Sequence, residues 1–148
     1  MTEQLMGRPA EILLVEDNPG DVRLTKMALQ AGRISNNLHV VQDGVEAMAF
    51  LRRQGAHADA PRPDLLLLDL NLPRKDGREV LGELAADEDL KRIPVVILTL
   101  SREDADILRT FDLGAKSYII KPVDVEQLIG IVTLLKGYWS GIVEQPEQ

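Results

Sequence analysis

The chain has 148 residues, 45% hydrophobic and 28% charged, with no cysteine and a formal net charge of −7. That length suits one domain with a sizeable core, and the lack of cysteine excludes disulfides, thiol catalysis and cysteine-ligated zinc. The acidic balance argues against a nucleic-acid backbone or an acidic membrane surface as partner, and no apolar run approaches the roughly 18 residues of a membrane span. Residues 1–9 carry no apolar signal-peptide core and are expected to be a flexible start. One domain is expected over residues 10–142, with 143–148 a flexible polar tail, in a cytoplasmic protein.

The first apolar run, 12–15, leads into Glu16-Asp17 and then Asn18-Pro19. Asn18 suits a helix N-cap and Pro19 a first helical position. Leu24, Met27, Ala28 and Ala31 recur at helical spacing, and Gly32 stands where that helix should stop. A second run, 38–41, precedes Asp43 as a cap, then Ala47, Phe50 and Leu51 on a second helix, with Gly55 at its expected end. Ala60-Pro61-Arg62-Pro63 leads into the third run, 65–68, which ends in Asp69. Asp76 caps a third helix marked by Leu81, Leu84 and Ala85. The fourth run, 95–98, ends in Thr99; Ser101 caps a shorter fourth helix with Ile107, Leu108 and Phe111, and Gly114 follows it. The last run, 118–120, enters Lys121-Pro122, and Val125, Leu128, Ile129 and Val132 mark a fifth helix.

Most of these runs are continuous rather than alternating, as expected of strands covered on both faces. Strand and helix alternate five times. The expected fold is α/β: a doubly wound, five-stranded parallel sheet of order 2-1-3-4-5, flavodoxin-like.

In such a sheet every strand's carboxyl end emerges on one edge, where ligands bind. Glu16, Asp17, Asp69, Thr99 and Lys121 should therefore meet there. An acidic residue after an apolar strand is also what a helix cap looks like, but four strands would each have to place the needed group by accident. Carboxylates about 4 Å apart repel by about 4 kcal/mol at an effective dielectric near 20, so a positive group is required. Mg²⁺, a hard ion with a preference for oxygen, fits that donor set, and Lys121 adds a second positive charge. A carboxylate can attack phosphorus to give an acyl phosphate, and Asp69, at the end of the central strand, is the nucleophile candidate.

These residues resemble the receiver domain of two-component response regulators. The resemblance rests on Ile12-Leu13-Leu14-Val15-Glu16-Asp17-Asn18, on Asp64 with Leu65-Leu66-Leu67-Leu68-Asp69-Leu70-Asn71-Leu72-Pro73, on Asp76-Gly77, on Val95-Val96-Ile97-Leu98-Thr99, on Gly114-Ala115 and on Tyr118-Ile119-Ile120-Lys121-Pro122. It implies that Asp69 is the phosphoacceptor, and that Asp17, Asp69 and the Asn71 backbone carbonyl hold Mg²⁺, with Glu16 acting through water. It implies that Thr99 is the switch hydroxyl, Lys121 the phosphate-binding lysine, Tyr118 the switch aromatic, and the Lys121-Pro122 peptide cis. Leu100 departs from the family's usual small residue, which puts access to the pocket and the rate of hydrolysis in question. His39 and His57 have no role in the pattern and read as surface or strand-edge residues.

Arg62-Pro63-Asp64, the segment from Asp69 through Arg74-Lys75-Asp76-Gly77-Arg78-Glu79-Val80-Leu81, Leu90-Lys91-Arg92-Ile93-Pro94 and Tyr138-Trp139 are similar to the small regulators that partner bacterial phytochrome histidine kinases. The expected function is phosphorelay signalling with a sensor histidine kinase, catalysing only its own phosphorylation and dephosphorylation. Little sequence follows the fifth helix, so output is expected through protein contact. Ile131, Leu134, Tyr138 and Ile142 form an apolar face there. By the resemblance, that face suits a homodimer built on the fourth helix, fifth strand and fifth helix.

Three other readings compete. An aspartyl phosphatase would want a second Asp where Asn71 stands. A flavin-binding domain would want a hydroxyl- or glycine-rich cradle where Asp17-Asn18-Pro19-Gly20 stands. A scaffold-only receiver would not need the intact acidic pair, acceptor, threonine and lysine.

Overall fold

The four leucines Leu65 to Leu68 are wholly buried and form the centre of the molecule. A computed structural model describes residues 9–33, 35–100 and 115–135, though not the side chains of 115–117 and 132–135. The strands are β1 (Ala10–Val15), β2 (Asn36–Val41), β3 (Leu65–Asp69), β4 (Val95–Thr99) and β5 (Ala115–Ile120). They form one parallel sheet in the order β2-β1-β3-β4-β5. The described helices are α1 (Pro19–Ala31), α2 (Gly44–Leu51), α3 (Gly77–Ala85) and α4 (Val125–Leu135); α4 is the fifth helix expected from the sequence. The expected fourth helix, with Ser101, Ile107, Leu108, Phe111 and Gly114, lies outside the described residues.

Successive strand residues face opposite sides, which divides the core in two. Leu13, Val15, Leu66, Leu68 and Ile97 pack with α2 and α3. Ile12, Leu14, Leu65, Leu67, Val96 and Leu98 pack with α1 and α4. Each fully buried aliphatic side chain contributes about 1.5–3 kcal/mol of transfer free energy. Because both faces are apolar, the sheet directs its polar chemistry to its edges.

The helix starts are locally encoded. Asn18 Oδ1 accepts the Asp21 N–H at 3.0 Å and Asp43 Oδ1 that of Glu46 at 2.8 Å. Asp76 forms a reciprocal capping box with Glu79. Two expectations need correction. The buried face of α1 is Thr25, Ala28 and Leu29, whereas Leu24 is 37% exposed and Met27 53%. Thr25 can be buried because its hydroxyl donates to the Asp21 carbonyl at 2.9 Å. The second helix stops before Gly55: Arg52 caps α2, and Arg53 already lies at φ 56°.

Gly32 does end α1, and it also admits α4: a Cβ there would lie 2.8 Å from Ile129 Cγ1. His39 and His57 flank the Phe50 ring, with centroids 5.3 and 5.4 Å away, and pair with Glu11 and Glu46. Ile131, expected on a dimer surface, is instead buried in its own domain beside Leu128, because α4 turns that stripe onto the sheet. The Leu134 side chain, Tyr138 and Ile142 lie outside the described residues.

Candidate functional site

Strand register brings the polar residues to one level. Val15 pairs with Leu68, Asp69 with Leu98, and Thr99 with Ile120. Glu16, Asp69, Thr99 and Lys121 therefore stand one step from one another along the carboxyl edge. The ladder continues past β4, where the Lys121 N–H donates to the Thr99 carbonyl at 2.7 Å. The Lys121-Pro122 peptide is cis.

One carboxylate oxygen from each of Glu16, Asp17 and Asp69 lies within 4.8 Å of the others. Glu16 and Asp69 are buried and Asp17 is exposed, so the cluster opens to solvent on the Asp17 side. Lys121 Nζ lies 2.7 Å from Glu16 Oε1, 2.9 Å from Asp21 Oδ2 and 3.2 Å from Asp69 Oδ2. The pocket thus gathers three carboxylates around one ammonium, with Asp17 beside them. Burial raises the Glu16 carboxyl to about 7; the nearby Asp69 charge raises it further, and Lys121 opposes both. Burial also disfavours the Lys121 ammonium, but Glu16, Asp21 and Asp69 outweigh this and push its pKa up.

Glu16 Oε1 is buried and makes no directed hydrogen bond, despite its contact with the ammonium. Its partner oxygen Oε2 accepts the Asn18 N–H at 3.2 Å. A buried carboxylate oxygen whose one partner is a shared ammonium, beside two further carboxylates, suits a hard, oxygen-seeking cation or its bound water. The donor set contains neither sulfur nor imidazole, which suits Mg²⁺ or Mn²⁺ rather than zinc.

The loop after Asp69 is held on several sides. The Asn71 N–H donates to Asp69 Oδ1 at 3.1 Å, which leaves the Asn71 side chain exposed. The Gly77 N–H returns to the Leu70 carbonyl at 2.9 Å. A Cβ on Gly77 would sit 2.5 Å from the Asp69 carbonyl oxygen, so only glycine lets α3 begin this close to the acceptor strand. The Gly44 N–H bonds the Lys75 carbonyl at 3.0 Å, Arg74 pairs with Asp43 at 3.3 Å, and Lys75 pairs with Glu83. Thr99 is fully buried, and Tyr118 is buried on the face shared with α2 and α3. Leu100 is 72% exposed, so its side chain is not packed into the pocket.

Asp21 is the site residue that motif reading passed over. Its signal was present in the Asn18 cap, which puts Asp21 in the first turn of the helix that starts beside Glu16-Asp17. Nothing local announced its partner, 100 positions away.

The profile of the response regulator receiver domain matches residues 12–133. The chain belongs to the response regulator receiver family. It is 44% identical over 138 residues to response regulator Rcp1 of Synechocystis sp., covering 93% of this chain and 94% of Rcp1. Among solved structures, the phosphorylated cyanobacterial phytochrome response regulator RcpA is 48% identical with a TM-score of 0.74, over 89% of this chain and 94% of RcpA. The Mn²⁺-bound form of Rcp1 is 44% identical with a TM-score of 0.74, over 94% of this chain and all of that one. The chain is thus a homologue of phytochrome-type response regulators, and a divalent ion is bound in one of those relatives. No helix among the described residues is long and apolar enough to cross a membrane.

Proposed function

We propose that this receiver accepts a phosphoryl group on Asp69 from a sensor histidine kinase of the bacterial phytochrome type. The observation that carries the reading is the Asp69 carboxylate, which shares one ammonium with Glu16 and stands within 4.8 Å of the Glu16 and Asp17 carboxylates. Asp17, Asp69 and the Asn71 carbonyl would hold Mg²⁺, with Glu16 acting through water. Bound there, the ion would supply neutralisation of charge on a transferring phosphoryl group.

The chain's own residues do the rest. A carboxylate oxygen of Asp69 forms the new P–O bond as the donor's P–N bond breaks, and the donor imidazole leaves with the bonding pair. Lys121 stabilises the charge gathered on the phosphoryl oxygens. The Asn71 N–H, bonded to Asp69 Oδ1, holds the carboxylate in orientation. The Thr99 hydroxyl is then drawn toward the phosphoryl group, Tyr118 reorients, and the side of the molecule carrying β5 and α4 changes its preference among protein partners, a second copy of the chain included. A switch from 1:99 to 99:1 needs about 5.5 kcal/mol of differential stabilisation, within reach of several charge-assisted contacts at one phosphate. In this reading the protein is cytoplasmic and turns over no external substrate.

The test is phosphoryl transfer from a phosphorylated histidine kinase in Mg²⁺, read by mass spectrometry. Asp69→Asn should abolish uptake. Undiminished uptake by that variant would overturn the assignment.

A further inference from the structure

Lys121 makes its directed side-chain hydrogen bond to Asp21, not to Asp69. Nζ donates to Asp21 Oδ2 at 2.9 Å, while its approaches to Glu16 and Asp69 are ion pairs without that directed geometry. The lysine is only 7% exposed, and Asp21 is 21% exposed at the mouth of the pocket. Asp21 belongs to neither the carboxylate triad nor the motif residues of the sequence.

We propose that Asp21 is a built-in competitor for Lys121: it engages the ammonium in the resting protein and opposes its transfer to the phosphoryl group. The proposal rests on the phosphoacceptor reading of Asp69 and adds a residue that sets how firmly the phosphorylated state is held. Two physical effects act in the same direction. A phosphoryl oxygen on Asp69 must draw Lys121 away from a charge-assisted hydrogen bond. The Asp21 carboxylate also repels the added negative charge across a short, partly desolvated gap.

The Asp21 side chain is free for this role. The cap of α1 uses the Asp21 backbone N–H, and the buried Thr25 hydroxyl uses its carbonyl, so the helix start does not depend on its carboxylate. Asp21→Asn keeps an acceptor for the lysine and removes the charge; Asp21→Ala removes both.

Beryllium trifluoride with saturating Mg²⁺ is the probe, since it mimics a phosphoryl group on a carboxylate without turnover. Its affinity for the full chain and both variants can be read by titration calorimetry. Asp21→Asn is expected to tighten binding by about tenfold, or about 1.4 kcal/mol, with Asp21→Ala at least as tight. Glu88→Gln removes one unit of charge at the opposite edge of the sheet, from a residue 88% exposed, and should change affinity by less than about twofold. Unchanged or weaker binding in both Asp21 variants would overturn the competitor role, and weaker binding would make Asp21 a positioning residue for Lys121 instead. An equal gain in Glu88→Gln would reduce the effect to net charge. If the unaltered chain fails to bind the probe at all, the phosphoacceptor reading falls instead.

Discussion

The two edges of the sheet use the same residue type in opposite ways. At the amino edge Asp64, Asp87 and Asp89 each have donors of their own. Asp64 Oδ2 accepts the Glu11 N–H at 2.7 Å, Asp87 Oδ1 accepts the N–H groups of Asp89 and Leu90 at 2.9 Å each, and Asp89 pairs with Arg62. At the carboxyl edge Glu16, Asp21 and Asp69 converge on a single ammonium, and one buried oxygen of Glu16 has no hydrogen bond. The titration directions follow. Backbone N–H donors hold Asp87 below the usual carboxylate range, whereas burial pushes Glu16 above it. Carboxylates satisfied by nearby backbone are fasteners. Carboxylates left to share one cation store electrostatic energy that binding of a metal ion can release.

The largest effect should come from removing the shared cation. Lys121→Met leaves the carboxylates of its edge without their ammonium, and orphaning a buried charge commonly costs about 3–5 kcal/mol. A loss of about 3 kcal/mol in urea unfolding is expected here, because Glu16 can take up a proton in compensation. Mg²⁺ should recover more stability in this variant than in the unaltered chain. A loss below about 1 kcal/mol would put this edge in the same class as exposed ion pairs.

A smaller effect concerns pH. A proton on Glu16 competes with a divalent cation, so Mg²⁺ should bind about tenfold more tightly near pH 8 than near pH 6. Without metal, folding stability runs the other way. The raised Glu16 carboxyl contributes fully below its ordinary value of 4.5, and that contribution is lost as pH climbs through about 7. The lowered Asp87 has the opposite sign: its contribution is present above the ordinary 3.8 and is lost as pH falls through the folded value. Calorimetric Mg²⁺ affinity that ignores pH over this window would erase the distinction at Glu16.

The smallest effect sharpens the amino edge. Asp87→Ala should lower stability slightly in urea unfolding, because the Asp89 and Leu90 N–H groups lose their shared acceptor. It should leave beryllium trifluoride affinity untouched. A shift in that affinity would mean that the two edges are coupled through the sheet.

Several features were legible before any coordinates. Continuous apolar runs such as 65–68 announced strands covered on both faces, and Asn18, Asp43 and Asp76 announced helix starts, because both signals are local. Other features were not. The stripe Leu24, Met27, Ala28 and Ala31 missed Thr25, whose burial depends on a hydroxyl finding a carbonyl one turn back. The end of α2 was set at Arg52 and Arg53 rather than at Gly55. Ile131 looked like surface on the helical pattern, yet packing of α4 on the sheet buries it.

The sequence by itself determined the α/β alternation and the convergence of Glu16, Asp17, Asp69 and Lys121 on one edge, whereas strand pairing decided between the two common doubly wound orders. It could do so because apolar runs mark the strands, and the carboxyl ends of parallel strands share one edge. Only the tertiary structure decided that Asp21 joins Glu16 and Asp69 around the lysine. That contact depends on the start of α1 and the residue after β5 meeting at the carboxyl edge, and Asp21 reaches Lys121 only once residues 100 positions apart are packed together.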